Sequence, residues 1–340
     1  MKKKYLTLFS LLCSFIIIAA LFSGCKKEET KTLVKVKINE VTRSIFYAPM
    51  YAAINQGFFK DEGIELDLTT GEGADKVMQQ VLSGSVDIGF SGPEQVIYIY
   101  NQKREDYPVV FGQLTQKDGS FLVSRKEEKD FKWDSLKGKT IIGGRPGGVP
   151  QMALEYVLKK NGLDPNKDLN VITNIAFAAT TGAFKGGTGE YAALFEPNAS
   201  LLKKDNAGFI VASVGADAGV IPYTCYYSTK SYIEKNSDVI EKFTKALYKG
   251  QLWVQKTNEA EVAKSIKSFF PGTDEDLIVN VIKNYKSIEA YSPNLILKEQ
   301  DLNRLMDIIQ AYKKDLIPER PAFNKIVNNT FAEKAVKEIK

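Results

Sequence analysis

Five short segments carry residues able to meet a small molecule. In Arg43-Ser44-Ile45-Phe46-Tyr47, the guanidinium of Arg43 can fork onto an anion, and Phe46 and Tyr47 can stack on a ring. The same run also reads as a surface arginine beside a buried aromatic pair. Gly71-Glu72-Gly73 opens a helix whose free N–H groups attract anions, yet Glu72 and Asp75 already place negative charge there. Ser91-Gly92-Pro93-Glu94 has the Ser-x-x-Glu form of a capping box, and such a cap leaves other N–H groups free for a ligand at Ser91 and Gly92. Gly144-Arg145-Pro146-Gly147-Gly148-Val149-Pro150 allows close backbone approach at Gly147, Gly148 and Val149, with Pro150 suited to a first helical turn. Its spacing matches neither a P-loop nor a dinucleotide fingerprint. In Phe195-Glu196-Pro197, Glu196 either accepts from a ligand amine or ring N–H, or caps a neighbouring loop. Tyr223 is the member of the Tyr223–Tyr227 run expected to face a cleft.

The composition narrows the chemistry further. The chain has 340 residues and no histidine, so the commonest catalytic base and metal ligand is missing. Without histidine or a cysteine pair, a zinc or copper site lacks its usual ligands. No catalytic residue, metal or cofactor is expected. No basic stripe interleaved with aromatics supports nucleic-acid binding.

The elements that position these segments alternate along the chain. Leu33–Ile38 and Ile64–Leu68 read as strands, and Pro49–Gln56, Ala74–Leu82 and Glu94–Asn101 as helices. After Val109–Phe111 and Phe121–Val123 the pattern restarts, with strands at Thr140–Gly143, Leu169–Ile172, Ala192–Phe195 and Phe209–Ala212 around a helix Pro150–Lys160. A strand Tyr223–Tyr227 leads into helices Ser237–Lys256, Glu259–Phe269, Asp274–Lys286 and Lys298–Lys313. Alternation of this kind makes an α/β protein. The length exceeds what one core usually serves, so two lobes are expected, crossed near Gln113–Val123 and Pro222–Ser228, with the tail helices returning to the first.

The first residues resemble an export signal. Lys2-Lys3-Lys4 precedes an apolar run from Tyr5 to Phe22. Leu21-Phe22-Ser23-Gly24-Cys25 then resembles a bacterial lipobox, with Phe22 where leucine is usual. The implied signal peptide is 1–24, and the implied lipid sits on Cys25, anchoring a tether over 25–32. Removing 1–24 takes three lysines away and brings the net charge from +5 to +2. Cys225 is then the single free thiol, expected to be a small buried residue.

Four blocks in order resemble the nitrate/sulfonate/taurine and thiamine-precursor-like substrate-binding proteins of ABC importers. They are Tyr47–Ile64 with Gly57-Phe58-Phe59 and Glu62-Gly63, Gly73–Pro93, Trp133–Ile141, and Ala193-Leu194-Phe195-Glu196-Pro197. The resemblance implies a two-lobed periplasmic-binding-protein type 2 fold whose ligand cleft lies between lobes joined by two crossover segments. Lobe 1 would comprise 33–115 and 228–340, and lobe 2 residues 116–227. It implies that the Ser91 loop faces the cleft. It also implies an extracytoplasmic monomer that hands a small solute to a membrane permease and its ATPase. The expected solute is nitrate-, sulfonate- or taurine-like, with a heteroaromatic vitamin precursor (a thiamine pyrimidine precursor or a flavin) as the alternative. A pyrimidine-forming enzyme of related architecture would need a histidine and a cysteine-rich iron motif. A sensor using the same cleft cannot be told from an importer component by sequence.

Overall fold

The computed structural model describes residues 33–339. The implied signal, lipobox and tether, including Cys25, lie outside them. Ten strands form two five-stranded sheets. The first uses β1 (Val34–Glu40), β2 (Ile64–Thr70), β3 (Ile88–Ser91), β4 (Pro108–Thr115) and β10 (Thr224–Thr229), in the order β2-β1-β3-β10-β4. The second uses β5 (Ser120–Ser124), β6 (Thr140–Ile142), β7 (Asn170–Ile172), β8 (Tyr191–Phe195) and β9 (Phe209–Ser213), in the order β7-β6-β8-β5-β9. β1 pairs in parallel with β2 and β3, and β6 in parallel with β7 and β8. β10 runs antiparallel to β3 and β4, and β5 antiparallel to β8 and β9.

The pattern of each strand explains its place. In β1, Val36 and Ile38 are fully buried while Val34, Lys35 and Lys37 face solvent, the alternation of a strand covered on one face. β4 is buried along its whole length because the tail helices cover it. The helix Ser237–Lys256 lies across Ala48–Asn55. Gly250 makes that contact possible, since a Cβ there would come within 2.5 Å of the Pro49 carbonyl oxygen.

The chain leaves the first sheet after β4 and returns at β10. The two crossing segments pair with each other. Ile221 N–H donates to the Gln116 carbonyl at 2.9 Å, Tyr223 N–H to the Thr115 carbonyl at 3.0 Å, and Thr224 N–H to Thr115 Oγ1 at 3.0 Å. Two details differ from the sequence expectation. Residues Thr224–Tyr227, assigned to lobe 2, pair within the first sheet because β10 fills the gap between β3 and β4. Not all tail helices return to the first sheet either. Glu299–Tyr312 packs on Val149–Lys160, where Lys159 Nζ donates to the Ala311 carbonyl at 2.7 Å. Among the described residues, no helix is long and apolar enough to cross a membrane.

Candidate functional site

Aromatic side chains from both sheets and from the second crossing meet at one centre. Ser44 starts it. Its hydroxyl accepts from Phe46 N–H at 3.2 Å and caps a single helical turn, Ile45–Tyr47, that turns both rings inward. The Phe46 ring lies 4.6 Å from Tyr285, 5.7 Å from Tyr47, 5.8 Å from Tyr223 and 6.3 Å from Phe195. Tyr47 packs edge-on against Phe90 at 4.6 Å. Phe177 lies 5.6 Å from Phe195 and is 53% exposed, so the cluster reaches solvent on that side. Gly119, in the first crossing, gives the rings room. A Cβ there would stand 2.8 Å from Phe46 and 3.0 Å from Phe195.

Polar groups surround this aromatic centre. Asp118 is fully buried in the first crossing. Its Oδ1 accepts from Ser120 N–H at 2.7 Å and from the Ser120 hydroxyl. Its Oδ2 has no hydrogen-bond partner among the described residues. Glu94 is buried, and its Oε1 receives only a long 3.3 Å bond from Gln95, while Oε2 has no partner among those residues. The Tyr223 hydroxyl lacks a well-formed bond too, although it lies close enough to Asp118 for each to shift the other's proton equilibrium. Burial pushes Glu94 up to about 7 and Asp118 up to about 6, desolvation outweighing the neighbouring donors. Burial likewise raises the Tyr47 and Tyr223 hydroxyls.

The expected site residues divide between this centre and the surrounding scaffold. Phe46, Tyr47 and Tyr223 come together. Ser44 supports them as a cap. Arg43 is committed elsewhere. Its Nε donates to Glu40 at 2.6 Å, and its guanidinium lies 5.3 Å from both the Tyr51 and Phe269 rings. Glu196 is also saturated. It accepts from Ser200 N–H at 2.9 Å, the Ser200 hydroxyl at 2.7 Å and Asn284 Nδ2 at 2.8 Å. It therefore caps the helix Asn198–Lys204 and ties the second sheet to the helix Glu275–Ser287.

The capping box at Ser91 does not form. Ser91 is the last residue of β3, Pro93 stands at the N-cap, and Glu94 is the first helical residue, two places early for a box. The Ser91 hydroxyl instead shares a 2.6 Å bond with Tyr227. Gly92 makes room for Glu94, since a Cβ there would lie 2.0 Å from Glu94 Oε2.

Gly147, Gly148 and Val149 do start the helix Val149–Lys160, and no side chain caps it. Gly147 takes a left-handed φ of 73°, and its carbonyl accepts from Tyr98 at 3.0 Å, joining this loop to the helix Glu94–Asn101. Arg145 faces Asp75 at 3.8 Å. Cys225 is a fully buried thiol whose pKa burial raises. Among the described residues, no three His, Cys, Asp or Glu side chains gather as a metal site.

Asp118 and Tyr285 escaped the sequence reading, and Glu94 entered it in a different role. Asp118 belongs to no motif. Only its place in a crossing segment, Gln116–Ser120, marks it.

The NMT1/THI5-like family model matches residues 45–260. YtlA of Bacillus subtilis, whose name proposes a binding protein, is 46% identical over 330 residues, 97% of each chain. A 4-amino-5-hydroxymethyl-2-methylpyrimidine phosphate synthase of Aspergillus parasiticus is 25% identical, over 72% of this chain and 71% of its own. Among solved structures, the alkanesulfonate-binding protein SsuA from Xanthomonas axonopodis bound to MOPS superposes with a TM-score of 0.68 at 16% identity. The match covers 87% of this chain and 98% of that one, and shows a shared periplasmic-binding-protein fold. The chain belongs to the NMT1/THI5-like family and has the two-sheet α/β fold of periplasmic binding proteins.

Proposed function

We propose that this protein is the extracytoplasmic substrate-binding component of an ABC importer, and that its solute is a flat heteroaromatic molecule held between the two sheets. The observation that carries this reading is the aromatic centre. Phe46, Tyr47, Phe195, Tyr223 and Tyr285 converge there from the turn after β1, from β8, from the second crossing and from the helix Glu275–Ser287. Stacking on such rings favours a planar π-system. The binding role is supported by YtlA and the shared fold. A delivery role implies a permease and an ATPase as partners, and a membrane anchor through Cys25.

Sequence alone favoured a nitrate- or sulfonate-like solute. The aromatic centre supports the heteroaromatic alternative, and of the two anion candidates Arg43 is taken by Glu40, while the Gly147–Gly148 helix start carries no side-chain cap. The synthases among the relatives give a pyrimidine as the natural first probe. An enzymatic role has less support here. The chain has no histidine, and its described cysteine is buried.

Thermal denaturation with a panel of solutes tests the proposal. A ligand at a hundred times its dissociation constant adds about 2.7 kcal/mol of stability. The expected result is a rise in melting temperature with 4-amino-5-hydroxymethyl-2-methylpyrimidine or a flavin, and none with nitrate, taurine or an alkanesulfonate. A rise with the anions alone would contradict it.

A further inference from the structure

We propose that Glu94 and Asp118 are the ligand-reading residues of this centre, and that its solute is a flat ring presenting N–H donors, or a positive charge, to both carboxylates. The inference deepens the heteroaromatic reading and rests on it. Glu94 is 2% exposed and Asp118 not at all, yet each keeps one carboxylate oxygen without a partner among the described residues. Buried polar groups are nearly always paired, so two unsatisfied acids in one place call for a function. They stand on neighbouring segments: Ser91, three residues before Glu94, pairs with Cys225 in the first sheet, and Tyr223, two residues before Cys225, donates its N–H to the carbonyl of Thr115, three residues before Asp118.

Both acids sit in positions the fold prepares. The Glu94 carboxylate fills the space that a side chain on Gly92 would take. Asp118 is fixed by Ser120, and its backbone is packed so closely that a Cβ on Gly215 would lie 2.0 Å from the Asp118 carbonyl oxygen. One acid opens the helix that follows β3 and the other stands in the first crossing, so they reach the aromatic centre from different elements. The cation whose charge reaches Glu94 is Arg145, which is half-exposed and shares its charge with Asp75. An anionic solute would meet two carboxylates here. A ring without donors would leave both oxygens unpaired, and a site built to hydrogen-bond rejects the analogue lacking the partner group.

Titration calorimetry on the full chain tests this, using 4-amino-5-hydroxymethyl-2-methylpyrimidine and its 4-dimethylamino analogue as probes. The variants are Glu94→Gln, Asp118→Asn and Gly92→Ala, the last expelling the Glu94 carboxylate without changing its chemistry. The expected result is that the amino compound binds the wild type at least tenfold more tightly than the dimethylamino compound. Each variant should weaken the amino compound by roughly ten- to a hundredfold and narrow the gap between the probes. The near-ultraviolet circular dichroism of each variant should match the wild type. Folded acid variants that bind the amino compound within twofold of wild type would overturn the pair alone. A wild type that binds neither probe would overturn the heteroaromatic reading first, and the pair with it.

Discussion

The buried carboxylate of Glu40 and those of Glu94 and Asp118 are finished differently. At the end of β1, Glu40 is fully buried and receives Arg43 Nε at 2.6 Å, the Tyr51 hydroxyl at 2.5 Å and the Thr70 hydroxyl at 3.1 Å. At the aromatic centre, Glu94 and Asp118 are as deeply buried but each leaves an oxygen unmatched. Glu196 sides with Glu40, since Ser200 and Asn284 satisfy it. On the proposed reading, completeness of hydrogen bonding, rather than burial or residue type, separates acids that hold the fold from acids that meet a ligand.

The contrast is broken most forcefully at Glu40. Replacing it by alanine leaves Arg43 without its partner. Removing one member of a buried pair costs about 3–5 kcal/mol, and the partly exposed Arg43 places this case at the lower end. Urea denaturation should show that loss, while affinity for the pyrimidine probe stays within a few fold. A folded Glu40→Ala protein that loses binding as completely as Glu94→Gln would erase the distinction. Glu196→Ala should cost about 1–3 kcal/mol by unsatisfying Ser200 and Asn284. Its effect on binding should again be small, read from the same two measurements.

The smallest effect is a pH dependence, and its sign follows from burial. Glu94 is held at about 7 against an ordinary 4.5, and Asp118 at about 6 against 3.8. Between those limits the folded protein keeps protons that the unfolded chain has released, so stability without ligand rises as pH falls from 8 to 5. Other raised acids, including Glu40, add to the same slope. The difference between wild type and Glu94→Gln isolates the Glu94 share, and urea midpoints across that range should converge for the two proteins as pH falls. Binding of a donor-bearing solute should run the other way, weakening below about pH 7 as the acceptors take up protons. Parallel urea profiles for the two proteins would show that Glu94 is not titrating in this window.

Much of the architecture was legible because periodicity reports burial. The helices Ala74–Leu82, Glu94–Asn101 and Ser237–Lys256 stand at the bounds their apolar spacing gives, and the expected strands fall within one or two residues of theirs except β4, which runs four residues past Phe111. The site was legible only in its rings. Phe46, Tyr47 and Tyr223 announce themselves by type, in or beside segments that turn inward. The acids did not. Ser91-Gly92-Pro93-Glu94 has the spelling of a cap, but β3 runs through Ser91 and displaces the register by two residues. Arg43 has the spelling of an anion ligand, but its partner Glu40 lies three residues back on a strand end, where sequence shows no more than a neighbouring charge. Asp118 becomes significant only when the two crossings pair and bring Tyr223 beside it. Long-range pairing of that kind leaves no local signal.

The most direct test is a crystal structure of the protein with 4-amino-5-hydroxymethyl-2-methylpyrimidine. The account predicts the ring stacked among Phe46, Tyr47 and Tyr223, with its N–H groups within hydrogen-bond distance of Glu94 and Asp118. A ligand seated instead at the Gly147–Val149 helix start, touching neither carboxylate, would contradict it.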